Sequence, residues 1–139
     1  MKTNIHASCI DLSGRGVLIT GASGSGKSDL CLRLIMEFGA KLVSDDRTYL
    51  KIIKDKLVAT SPKILQGLLE VRGIGIIKQP FCKQTSINLV INLVNKHEEV
   101  ERFPEESFFE FDNYKIRSFN LYAKDASSPA KVLAALLLV

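Results

Sequence analysis

The chain has 139 residues, of which 46% are apolar and 24% charged, and a net charge of +4. That length and balance describe one globular domain over residues 1–139 with an ordinary core, and exclude a disordered or fibrous chain. Basic and acidic residues are interspersed with no block of like charge, so nucleic-acid binding is not expected.

The N-terminal stretch "MKTNIHASCIDLSG" lacks the apolar run of a signal peptide. Cys9, Cys31 and Cys82 are odd in number, widely spaced and free of any C-x-x-C pattern. Neither a disulfide framework nor a zinc site follows, and reduced thiols in a cytoplasmic protein are expected. "GVLIT" (16–20) is a short apolar run leading into glycine-rich sequence, the mark of a buried strand. "KSDLCLRLIMEFG" (27–39) spaces Leu30, Leu34 and Phe38 as a helix would, with Gly39 as its stop. "AKLVS" (40–44) predicts a second strand that delivers Asp45 and Asp46. "TYLKIIKDKLVATSP" predicts a hairpin about Lys54-Asp55-Lys56, and "PKILQGLLEV" a helical turn near Pro62. "TSINLVINLVN" (85–95), rich in β-branched and aliphatic residues, predicts a central strand. "YKIRSFNLY" (114–122) alternates as a half-exposed strand does. The final helix is expected to have Ser128 as N-cap and Pro129 at its first position. Its apolar end, "KVLAALLLV", is too short to span a bilayer, so no membrane association is expected and a buried helix or subunit contact is. A strand–loop–helix opening among many strands makes the class α/β.

Between the first strand and helix, Gly21-Ala22-Ser23-Gly24-Ser25-Gly26-Lys27-Ser28 fits G-x-x-x-x-G-K-[ST] at every position. A dinucleotide fingerprint would need glycine where Ser25 or Lys27 stands, and that reading fails. In a phosphate loop, successive backbone N–H groups and the helix N-terminus converge on an anion. Lys27 would reach the β- and γ-phosphates and the Ser28 hydroxyl would ligate Mg²⁺. A carboxylate must then hold the metal or move a proton. Asp45 and Asp46 follow the next strand, where one can act while the other braces it. The residues alone lead to phosphoryl transfer and no further.

The segment "LLEVRGIGIIK" (68–78) narrows the choice. Glu70, Arg72 and the alternating Gly73 and Gly75 before an apolar pair, together with "GASGSGKS" and "LVSDD", resemble the HPr kinase/phosphorylase family. The resemblance covers nearly the whole chain as the catalytic domain alone, the short form without the further N-terminal domain of many members. It implies an α/β phosphate-loop fold of the phosphoenolpyruvate carboxykinase-like type, a mixed sheet with flanking helices. It also implies ATP- and Mg²⁺-dependent phosphorylation of a serine on the phosphocarrier protein HPr, which many members reverse with inorganic phosphate to release pyrophosphate. By the same resemblance Lys27 and Ser28 are the loop lysine and serine, Asp45 the proton-transferring aspartate, and Glu70 a second magnesium ligand. His6 takes the place of a catalytic histidine and Arg102 that of an arginine after the central strand. Members are typically hexamers.

Arg72 could bind phosphate through a bidentate fork or pair with Glu70, and His97 reads as surface. The family's proline- and glycine-containing basic loop, tied to phosphorolysis, is replaced by "LYAKDASSPAKV" with only Lys124 and Lys131 as cations. Kinase activity is therefore the firmer expectation. The alternatives are a small-molecule kinase on the same fold and a non-catalytic nucleotide-binding regulatory module.

Overall fold

The computed structural model describes residues 2–139. Strands β1 (Thr3–Ile5) and β2 (Ala7–Leu12) open the chain and precede β3 (Arg15–Gly21). Ser13 and Gly14, at φ 52° and 89°, make the tight turn that folds β2 back on β3. The pairing is antiparallel, with Ala7 opposite Thr20. Residues 6–8 are thereby carried to the end of β3 where the glycine-rich loop starts. Helix α1 (Lys27–Phe38) buries Leu30, Cys31 and Leu34. It stops at Gly39, whose left-handed φ of 73° lets its own N–H return to the Ile35 carbonyl and the Ala40 N–H to the Leu34 carbonyl. Strand β4 (Lys41–Ser44) then pairs antiparallel with β2, Ser44 facing Cys9.

The expected hairpin is β5 (Thr48–Ile53) and β6 (Lys56–Thr60), with Lys54 and Asp55 at φ 49° and 63° in its turn. A short 3₁₀ turn at Lys63–Leu65 follows Pro62. A second hairpin, β7 (Leu68–Val71) and β8 (Gly75–Lys78), stands apart as its own two-stranded sheet. Period-two alternation fixes its posture: Leu69, Val71 and Ile77 pack on the helix-side core, so Glu70 faces outward and is exposed.

Strand β9 (Gln84–Leu93) is central, as expected, and forked. One edge runs parallel to β3. The other pairs antiparallel with β6 through Gln84, Thr85 and Ser86, and parallel with β11 (Tyr114–Leu121) through Val90–Leu93. β10 (Ser107–Phe111) covers the outer edge of β11. The sheet is mixed and curls. α1 and the final helix α2 (Ser128–Leu136) pack on one face with Ile10, Val17, Ile19, Leu89 and Ile91. The other face closes on itself around Leu18, Leu50, Leu57, Val90 and Ile116.

Ser128 is not the N-cap. Ser127 holds that place, and Pro129 is the second helical residue. The buried Ser128 hydroxyl donates instead to the Tyr122 carbonyl, tying the helix to the end of β11. The apolar C-terminal run also divides: Val132, Ala135 and Leu136 are buried, whereas Leu137 and Leu138 are 85% and 65% exposed.

Candidate active site

β3 and β9 run parallel, so both end on the side where β3 hands over to the loop 21–28. The loop ends at Gly26, whose φ of 102° is left-handed and whose added Cβ would sit 2.7 Å from the Ala123 side chain. Only glycine serves there. Among the loop side chains Lys27 is 5% exposed. Its Nζ donates to the carbonyls of Gly21 at 3.0 Å and Ala22 at 3.1 Å, and among the described residues no carboxylate pairs with it. A buried ammonium held only by carbonyl dipoles is a receptor for an anion. The Ser25 hydroxyl is also buried beneath the loop without a hydrogen-bond partner.

The Ser28 hydroxyl donates to Asp45 Oδ1 at 2.6 Å. Asp45 further accepts from the Ser8 hydroxyl at 3.2 Å, and at Oδ2 from the backbone N–H of Glu70 at 3.2 Å. This carboxylate therefore joins the helix start, β2, the end of β4 and the β7–β8 hairpin. Asp46 turns the other way. Its Oδ1 lies 2.6 Å from His6 Nε2, and both side chains are about half exposed, 57% and 50%.

A cavity of about 490 Å³ lies over the loop, with Lys27, Ser28, Asp46, Glu70, Arg72 and Lys124 in its walls. Lysine and arginine from three separate elements thus face one space beside three carboxylates, Asp29, Asp46 and Glu70. Arg72 and Glu70 form no ion pair, so the pairing reading of Arg72 is not met, and its side chain lines the cavity. Lys124 is held in place through its neighbours: Arg33 donates to the carbonyls of Ala123 and Asp125, and Asp125 pairs with His97 and Lys131. His97 is exposed, as expected, yet anchored.

The candidate residues are not all gathered. Loop 21–28, Asp45, Glu70 and His6 converge, His6 through Asp46. Arg102 does not join them: it lies exposed after a 3₁₀ turn at His97–Glu99, with its guanidinium 5.6 Å from the centre of the Phe103 ring. The site residue missed in the sequence is Ser8, because β2 itself was missed. Its signal was Ser13-Gly14 set between the apolar runs "ASCIDL" and "RGVLITG", a hairpin cue.

Ser28 and Glu70, both in the cavity wall, offer oxygen donors of the kind a hard divalent cation such as magnesium takes. Below it, Cys31 is fully buried, and burial first, then the Asp45 carboxylate, push its thiol well above the ordinary range. Burial does the same to Cys9. A more open groove of about 840 Å³, with Arg15, Lys56, Lys115 and Arg117 on its walls, lies at the opposite end of the sheet. No helix is long and apolar enough to cross a membrane among the described residues.

Comparison with known proteins agrees with this architecture. A chain titled Hpr(Ser) kinase/phosphatase from Coxiella burnetii superposes with a TM-score of 0.82 at 26% identity, over 98% of this chain and 88% of that one. The α/β phosphate-loop fold of the phosphoenolpyruvate carboxykinase-like type is therefore the fold of this protein. Proteins named HPr kinase/phosphorylase from Clostridium acetobutylicum and Clostridium tetani are 46% and 38% identical, over 66% and 86% of this chain. The chain spans only about a third of their length, 32% and 38%. The family model described as HPr Serine kinase C-terminal domain matches residues 1–138, and the chain belongs to that family.

Proposed function

We propose that this domain transfers the γ-phosphoryl group of ATP, with Mg²⁺, to a serine of an HPr-type phosphocarrier protein. The observation that carries the reading is the buried Lys27 ammonium, without a carboxylate partner, beside the Ser28–Asp45 pair. Loop N–H groups and Lys27 would take the β- and γ-phosphates. Ser28 and Glu70 would hold the magnesium ion, which neutralises charge on the transferring group. Asp45 lies against Ser28 and would accept the proton of the incoming serine hydroxyl. His6 would act through Asp46, its hydrogen-bonded neighbour. Arg72 and Lys124, in the walls of the same cavity, supply further positive charge. Arg102 takes no part in this reading, because its guanidinium lies over the Phe103 ring and not in the cavity wall. ATP and a soluble phosphocarrier place the reaction in the cytoplasm, and exposed Leu137 and Leu138 are compatible with subunit contact in a homo-oligomer.

The test is transfer from γ-labelled ATP and Mg²⁺ to HPr. Label should appear on HPr, vanish when its target serine is replaced, and fall by about 100-fold or more with Asp45→Asn. Unchanged transfer by Asp45→Asn would remove Asp45 from the proton-transfer role. Binding of ATP with no label on HPr would instead favour a small-molecule acceptor.

A further inference from the structure

The backbone between the two aspartates is strained. Asp46 has a φ of +67°, and the Arg47 N–H donates back to the Asp45 carbonyl at 2.8 Å. A three-residue turn closed around a left-handed centre is the rare, unfavourable form of this turn, and it persists only where its surroundings over-determine it. Asp46 is exposed, so bulk packing does not hold it.

Ser8 holds it. Its side chain is wholly buried in β2. Its oxygen accepts the Asp46 N–H at 3.0 Å while its hydroxyl proton goes to Asp45 Oδ1 at 3.2 Å. One hydroxyl therefore satisfies the backbone of one aspartate and the carboxylate of the other. The β2–β4 pairing also shifts register between Cys9 and Ile10, opposite the end of β4. That irregularity lies next to Ser8, where the chain leaves the ladder for the turn.

We propose that Ser8 is a positioning residue: it fixes the strained turn that sends Asp45 toward Ser28 and Asp46 toward His6 and the cavity. This rests on the phosphoryl-transfer reading above for its kinetic consequence, but not for its structural one. Without the Ser8 oxygen, the Asp46 N–H has no partner and the left-handed turn relaxes toward ordinary backbone. The two carboxylates then lose their opposed directions.

Two variants and two readouts test it. Ser8→Ala removes the oxygen, and Ser8→Thr keeps it on a β-branched side chain suited to a strand. Amide hydrogen exchange should show Asp46 exchanging faster in Ser8→Ala, with Thr near wild type and the amides of β3 unchanged in both. In the transfer assay, Ser8→Ala should lower kcat roughly 10- to 100-fold while the KM for ATP moves less than about 3-fold. Ser8→Thr should recover most of that loss. Unaltered Asp46 exchange in Ser8→Ala, or a kcat loss that Thr does not recover, overturns the proposal. If wild-type protein transfers to no HPr, the kinase reading falls, and the exchange comparison alone then decides the role of Ser8.

Discussion

At Lys27 the protein keeps a cation in a place that folding alone does not favour. The ammonium is desolvated, and two carbonyl dipoles return less than a carboxylate would. Lys27→Met should therefore abolish binding of ATP, read by calorimetry, while raising the stability of the ligand-free protein by about 1 kcal/mol in a denaturant melt. Lower stability would mean that the carbonyl contacts outweigh the desolvation. The place of this residue, at the end of a glycine-rich loop and the start of a helix, was legible in the sequence because G-x-x-x-x-G-K-[ST] is a local pattern. Asp45 was legible as a carboxylate delivered by the next strand, and Glu70 only through resemblance, because the hydrogen bond between them spans 25 positions. Ser8 was not, since it depends on β2 and β4, far apart in the chain, meeting in register, whereas the opposed directions of Asp45 and Asp46 are those expected of neighbours on an extended chain.

Among the elements, α1 matches its sequence pattern best. Its glycine stop, its start at Lys27 and the burial of Leu30 and Leu34 are all set within a few turns of chain, while Phe38, at the same spacing, is 40% exposed. β2 and β10 were missed for the opposite reason. β2 is buried along its whole length and shows no alternation, and β10 is short and lies at an edge. The buried face of α1 also carries a pH dependence. Burial and the Asp45 carboxylate hold the Cys31 thiol well above its ordinary value in the folded chain. In the unfolded chain a thiol ionises near about 8.5. Stability from this group is complete below that pH and falls above it, as the unfolded state loses a proton that the folded state keeps. Melting temperature should decline between about pH 8 and pH 10, and Cys31→Ala should decline less steeply. Its starting value should be lower, because the side chain leaves a cavity. Part of the slope will remain through Cys9, which burial affects in the same way.

Across the whole molecule two apolar clusters lie on opposite faces of one curled sheet, and β9 contributes to both, Leu89 and Ile91 to one and Ile87 and Val90 to the other. Leu89→Ala should lower unfolding free energy by about 2–5 kcal/mol in urea, a single transition confirming that the faces unfold together. A central strand was foreseeable from its aliphatic composition. Its fork was not, because which partner takes which half depends on hairpins 48–60 and 107–121 arriving from different sides. That fork also sets an order of events. β3 has β2 beside it almost as soon as both are synthesised, but its other edge stays bare until residues 84–93 have emerged. The glycine-rich loop is therefore made early and shaped late: translation must pass residue 93 before the strand that leads into it is flanked on both edges.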